Sequence, residues 1–421
     1  MNNKNNGQII IPGLFFIFIV TLMVIIIFNT SQEEYEKQQA TNIADAAVYS
    51  ALSYEANRLN YLAYTNRAVI TNQVAAGQIM AVASWTDYSS QASRTLAASL
   101  SWVPYLGAAL DAYAQVLEST HQSMQVILPA YVKMTDIAIQ TLSTVQHSIK
   151  ATTTAEIPLI VKKTIELNDD RFEISDYGML ELAMHTYAWT NFLSDADENK
   201  DLERQAIFIN SVKDDWTEAR SNQISLPATL IGALSAKLKQ RGSSRLIRRY
   251  DEDGNPYWNW ESRDSISLHT RKIKRLRTKR YEVGLVATDY STDSTPFYGF
   301  FSENKNAERM GKGQLEEWSG LYSGLKSLHE LNDKTTLSLA LEVQIDSKEL
   351  TLTHQNDSQA YGKEHNAEYA SVAKGELFFQ RSFDNRQEYA SLYNPFWTAH
   401  LIDASDEKKK AWAFKGFVRP F

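Results

Sequence analysis

Three groups of residues have types and spacings that could do chemistry. Asp195, Asp197 and Asn199 alternate in SDADENKD as the first oxygen ligands of a calcium loop do. Such a loop needs Gly at its sixth position and Glu at its twelfth, and this chain has Lys200 and Ala206 there. The segment reads better as an acidic corner between two helices. Asp289, Ser291 and Asp293 follow the apolar run GLVAT and approach a DxSxS metal-adhesion motif. Its fifth residue is Asp293 instead of Ser, and Pro296 with Phe297-Tyr298-Gly299 comes next where an alternating α/β pattern should start. The third group is basic. Between Lys237 and Arg280 there are 14 Lys and Arg against five Asp and Glu, with Tyr257, Trp258 and Trp260 interleaved, a composition suited to binding phosphates.

The remaining chemistry is sparse. None of the eight histidines forms HExxH or a close ligand pair, and neither a GxSxG elbow nor a Gly-rich phosphate loop is present. The chain has no cysteine, so thiol catalysis, thiolate metal sites and disulfides are excluded together. The expectation is a protein that is not an enzyme, with no catalytic residues, no metal ligands and no cofactor. A net charge of −7 argues against nucleic acid as a partner. The basic 237–280 stretch is left as a candidate for lipid headgroups or an acidic partner, or as an ordinary solvent face of exposed strands.

The elements that would position these groups begin with an anchor. From Ile9 to Phe28 the chain is apolar, and no charge lies between Lys4 and Glu33. Twenty residues at about 1.5 Å each match a bilayer core of about 30 Å. A secretory signal would be shorter and end at a small-x-small site, which FNTSQ does not supply. The prediction is a cytoplasmic N-terminus over 1–8, a transmembrane helix over 9–28 and an extracytoplasmic body, placed in a bacterial inner membrane as a single-pass protein.

After the anchor, a stripe at Ala40, Ala44, Val48, Leu52, Ala56, Leu59, Ala63, Ile70 and Val74 keeps helical spacing. The anchor should therefore continue as one long helix, or as two with a bend. Small residues at Ala40, Ala44, Ala47 and Ala51 would let another helix approach closely, either from a second subunit or from the same domain. Asn57, Arg58, Asn60, Asn66, Arg67 and Asn72 interrupt the helix, as a recognition surface or as a solvated face bonded to neighbouring helices. Val103-Pro104 breaks the pattern, a further helix is expected from Leu106 to Lys150, and Glu173 to Arg220 reads as two more.

Composition changes near Gly242. SRLIRRY, DEDGNP and YWNWES predict a hairpin with Gly254 in its turn. LSLALEVQI alternates strictly, so Leu337, Leu339, Leu341, Val343 and Ile345 should be buried and Ser338, Ala340, Glu342 and Gln344 exposed. Leu377-Phe378-Phe379 reads as another strand, Leu350-Thr351-Leu352 as one pairing back on LSLALEVQI, and Leu315 to Leu328 as a helix. The fold class predicted is membrane-anchored α then α+β: a helical region over 29–240, then a sheet-rich C-terminal domain over 241–421. The change of apolar period falls between residues 235 and 243.

GQIIIPGLFF, the apolar helix and YEKQQATNIADAAVYSAL resemble the start of TadE/TadG-like pilus-assembly proteins of the Tad (Flp) system. Those proteins show a Gly before the helix, a Pro a few residues in, and Gln-x-x-x-Asp-Ala-Ala after it. Here the matching positions are Gly7, Pro12, Gln39, Asp45, Ala46 and Ala47. NRLNYLAYTNRAVITNQVAAGQ and EYASLYNPFWTAHL also look like segments of large TadG-like proteins, and the motif-bearing part covers about a quarter of the chain. The resemblance implies a minor pilin-like or scaffold component of pilus assembly, with other pilus-assembly or pilin-like proteins as partners. Processed pilins usually carry Glu five residues after the cleaved Gly, where this chain has Pro12, which suits a scaffold that stays anchored. The alternative is a membrane-tethered extracytoplasmic binding or adhesive module with no filament role.

Overall fold

The computed structural model describes residues 10–103, 105–195, 200–227, 233–250, 252–274, 277–291, 297–299, 329–331, 335–345, 369–381 and 388–418. Gly7, Asp197, Asn199 and Asp293, the expected strand at Leu350–Leu352 and the expected helix from Leu315 to Leu328 lie outside these residues.

The first element, α1, is a single helix of 90 residues, Ile10–Ser99. Pro12 falls in its first turn, where the missing N–H costs nothing, and after Gly13 no Gly or Pro occurs before Gly77. Its N-terminal part is long and apolar enough to cross a membrane, and none of the apolar window is buried. The second helix, α2 (Leu106–Asn168), starts after Tyr105, which adopts a left-handed φ of 64°. It continues past the expected end at Lys150 through Pro158, because Ile157, Val161 and Ile165 keep a four-residue apolar period and are buried.

Next come β1 (Phe172–Ile174), α3 (Asp176–Phe192), β2 (Leu193–Asp195), α4 (Lys200–Ser211) and α5 (Asp215–Glu218). The sheet-rich part has β3 (Arg220–Leu226), β4 (Ser235–Tyr250), β5 (Pro256–Lys274), β6 (Arg277–Ser291), β7 (Phe297–Gly299) and β8 (His329–Leu331). It ends with β9 (Leu337–Ile345), β10 (Tyr369–Phe379), β11 (Trp397–Ile402) and α6 (Ser405–Val418). Helices dominate the chain before Arg220, as expected, with the short strands β1 and β2 among them, and the five-stranded sheet begins at Arg220, ahead of the anticipated change. In the β3–β4 ladder, from Arg220↔Gly242 to Leu226↔Ala236, all of β3 and the start of β4 lie within the stretch expected to be helical. Its residues alternate poorly, so their pairing is fixed by the partner strand and not by a two-residue apolar period. The hairpin at Gly254 is present, with φ of +82° in the β4–β5 turn.

The expected sequential division at 240/241 gives way to an interleaved one. One compact unit contains Met1–Tyr64, His147–Ser194 and His329–Phe421; the other contains Thr65–Gln146 and Asp195–Leu328.

In the first unit, β1-β9-β10-β11 form an antiparallel sheet in that order. Leu337, Leu339, Leu341, Val343 and Ile345 are buried on the face turned toward α1. There Gly375, opposite Leu339, lets Val48 and Leu52 approach its backbone, and Thr41 Oγ1 lies 2.9 Å from Ser371 Oγ. The opposite face departs from expectation, since Ala340 and Glu342 are buried as well. The reason is a third layer. Helices α3 and α6 cover that side through Tyr177, Val372, Ala404, Ala411 and Phe414. Glu342 survives burial because Ser175 Oγ donates to it at 2.5 Å and Lys415 Nζ sits 3.1 Å away.

In the second unit, β3-β4-β5-β6-β7 form an antiparallel meander. Its sheet packs on the later part of α1 through Tyr88, Ala92, Leu238, Ile266 and Val286. A side chain at Gly77 would meet the buried ring of Trp260, so a mid-helix glycine, costing about 1 kcal/mol of helix propensity, makes room for an indole.

Helix α3 lies so close to β9 that a methyl at Gly178 would strike the Glu342 carbonyl oxygen. Gly178→Ala is expected to lower stability by about 1–3 kcal/mol, measured as a drop in the denaturation midpoint. An unchanged midpoint would mean that α3 does not seat this tightly.

Candidate functional site

The positions carrying the family resemblance are used mostly inside the fold. Pro12 is exposed on the apolar start of α1. Gln39 Nε2 donates to Asp169 Oδ2 at 2.8 Å, at the turn between α2 and β1. Arg171 completes this cluster. Its Nη1 and Nη2 donate to the two carboxylate oxygens of buried Glu36 at 3.0 and 3.2 Å, and its Nε and Nη2 donate to Asp169 at 3.0 and 2.7 Å. The guanidinium bonded to Asp169 holds that carboxyl below its usual range. The cluster therefore clamps the α2–β1 turn onto α1 a few residues beyond the apolar segment. The sequence offered one clue to it, Gln39, and the partners at 169 and 171 are supplied by a turn 130 residues away.

Asp45 and Ala46 are half-buried, and burial raises the Asp45 carboxyl, opposed by Lys408. Ala40, Ala44, Ala47 and Ala51 are all fully buried within their own unit. This corrects the expectation of a contact face for another subunit: the four side chains are covered within their own unit. Of the polar set, Asn60 bridges β11 by donating to the Trp397 carbonyl and accepting its N–H, both at 2.9 Å. Arg58 pairs with Glu156 at 3.5 Å. In the second unit Asn66 accepts from Gln146 at 2.6 Å, and Asn72 donates to the Ala68 carbonyl at 2.8 Å. Asn57 and Arg67 are exposed. Half of the set, Arg58, Asn60 and Asn66, joins α1 to its neighbours.

Two buried charged groups were not singled out by spacing. In the first unit His185 Nε2 lies 2.7 Å from Glu55 Oε1, and its Nδ1 lies 2.8 Å from the Ser338 carbonyl, with both side chains shielded from solvent. A carbonyl can only accept, so Nδ1 carries hydrogen. Burial opposes charge on this imidazole, but the Glu55 carboxylate and the Ser338 carbonyl outweigh it and raise the pKa. In the second unit, Arg220 Nε and Nη2 donate to the two oxygens of Asp264, each at 2.9 Å. Ser84 Oγ donates to Asp264 at 2.7 Å, and Arg220 also reaches Ser262 and Ser244. The pair spans β4 because Gly242 stands between Arg220 and Asp264 in register, and any side chain there would collide with the carboxylate. The fold partners both groups, although Glu55 Oε2 is left without a hydrogen bond. Arg220 also lines a groove of about 410 Å³ with Trp85, Trp216, Ser221, Asn222 and Gln240, but its guanidinium bonds Asp264.

The basic 237–280 region reaches solvent in part. Arg263 is buried and Arg249 donates to Glu261 at 2.7 Å, whereas Arg271, Lys272, Arg277, Lys279 and Arg280 are exposed. Among the described residues no three His, Asp or Glu side chains are grouped to hold a metal ion. No family model, curated protein or solved structure matches this chain.

Two outcomes follow from the packing. Ala47→Trp is expected to cost more than about 3 kcal/mol and to unfold the first unit, read as loss of a cooperative transition. Normal folding would return the alanine face to the role of an external contact. The raised His185 pKa predicts stability that is fully present below about pH 6.5, the unfolded value, and is lost as pH rises through the folded value. The difference in unfolding midpoint between wild type and His185→Gln should therefore shrink from pH 6 to pH 8. A constant difference would show that the pair does not titrate in the folded protein.

Proposed function

We propose that this chain is a non-enzymatic scaffold or minor pilin-like component of Tad (Flp)-type pilus assembly, anchored in the bacterial inner membrane with its body outside the cytoplasm. The observation that carries the reading is the continuity of α1. Apolar side chains from Ile10 to Phe28 are left uncovered by the chain's own fold, with Ile11 73% exposed and Phe16 68% exposed. The same helix then enters a packed body without a break. Uncovered apolar surface on this scale needs a bilayer or neighbouring apolar helices around it. The resemblance at Pro12, Gln39 and Asp45-Ala46-Ala47 supplies the family, and the Gln39–Asp169 bond gives one of those positions a purpose in this fold. With the alanine face internal, contacts to other assembly proteins fall to the apolar segment and to exposed surface of the body.

The absence of native cysteine makes the test direct. Single cysteines at exposed Tyr35 and Tyr105 should react with a membrane-impermeant maleimide added to intact spheroplasts, while one at Asn5 should react only after lysis. Deleting the gene in its native host should abolish surface pili, and restoring the chain without residues 9–28 should not rescue them. Normal piliation in the deletion strain would leave the tethered binding module as the better reading.

A further inference from the structure

The β5–β6 hairpin ends in a ribbon within the basic 237–280 stretch. Strand β4 pairs with β5 as far as Ser235↔Arg271, so among the described residues Lys272 to Lys274 pair with β6 alone. In that ribbon the register sets Arg271 opposite Arg280, Lys272 opposite Lys279 and Lys274 opposite Arg277. Each pairing brings two cations together. Like charges directly opposite in an antiparallel pair are destabilising, and the sequence has no Asp or Glu from Ser265 to Tyr281 to offset them. Side chains alternate along a strand, so Lys272, Arg277 and Lys279 share one face of the ribbon. Their spacing is about 5 Å across the strands and about 7 Å along them. Arg271 and Arg280 share the other face with Ile273, which is 64% exposed although nothing polar accompanies it on its own side chain.

We propose that this ribbon docks on an anionic phospholipid bilayer surface. The face that carries Lys272, Arg277 and Lys279 offers a closely spaced set of positive charges to phosphodiester headgroups. Lysine suits such a surface, because it acts as a hydrated point charge and needs no fixed partner geometry. Exposed Ile273, on the other face near the same end, favours a bilayer entered end-on over a purely acidic protein, since in that pose both faces meet the surface and Ile273 can be buried among the first acyl carbons. The ribbon buries little against its own sheet, so the repulsion stored in it is relieved only when anions arrive. This inference stands apart from the pilus reading, because it uses only the β5–β6 register and exposure.

The test uses full-length protein held in nanodiscs of phosphatidylcholine, mixed with separate vesicles and followed by co-flotation. Vesicles containing phosphatidylglycerol should be captured in low salt and released as salt rises, while phosphatidylcholine vesicles should not be captured. Removing three charges in Lys272→Gln/Arg277→Gln/Lys279→Gln should weaken capture roughly a hundredfold. The thermal midpoint of that variant should stay level or rise, because like-charge repulsion is removed. Equal capture of both vesicle types would overturn the proposal, as would a variant that binds like wild type or one that loses its thermal transition. Binding of poly-glutamate with indifference to phosphatidylglycerol would overturn it in favour of an acidic polypeptide.

Discussion

One constraint organises the rest of the structure: a helix of 90 residues must bury a face along most of its length. An isolated helix of this composition gains little from propensity, so its stability comes from apolar contacts along that face. Helix α1 contributes to both compact units, and each unit supplies a sheet for it. In the first, Val48 and Leu52 meet the backbone at Gly375; in the second, Gly77 admits Trp260. In each case a glycine removes the side chain that would hold helix and sheet apart, once on the sheet and once on the helix. Only the apolar start of α1 lacks such a partner within the chain.

Packing of this kind fixes distance but not register, and the buried charges supply the register. Arg220 and Asp264 meet across the strand that carries Gly242, and a slip of one residue would place a side chain between them and turn both charges to the other face. Glu342 does the same for β9, because it must find Ser175 and Lys415 at once. On the same face of that sheet, Glu407 is held near pKa 2, with burial opposed by Lys374, Lys410 and Tyr177. Such groups contribute little net stability beside apolar substitutes, but removing one partner leaves a buried charge, which costs several kcal/mol. Their value lies in making one arrangement much better than its neighbours. The β5–β6 ribbon is the counterexample, where cations are placed opposite one another in the open.

The sequence by itself determined the elements whose signals are local. An uncharged run of bilayer length gives the apolar start of α1, a period near 3.6 gives its buried stripe, strict alternation gives β9, and Asp-Gly between two strand-like runs gives the β4–β5 turn. It also exposed the basic stretch by composition. Only the tertiary structure decided what each surface faces. Ala40, Ala44, Ala47 and Ala51 look alike whether they meet a foreign helix or the chain's own domain, because small side chains permit both; their complete burial within one unit settled the matter. Strand β3 and the outer face of β9 were illegible for the same reason. Their state depends on ladder partners and on a third layer of helices, and non-local contacts leave no period in the segment that receives them. The cation cluster was hidden in the same way, since composition counts charges but only the register of two strands brings Lys272 and Lys279 face to face.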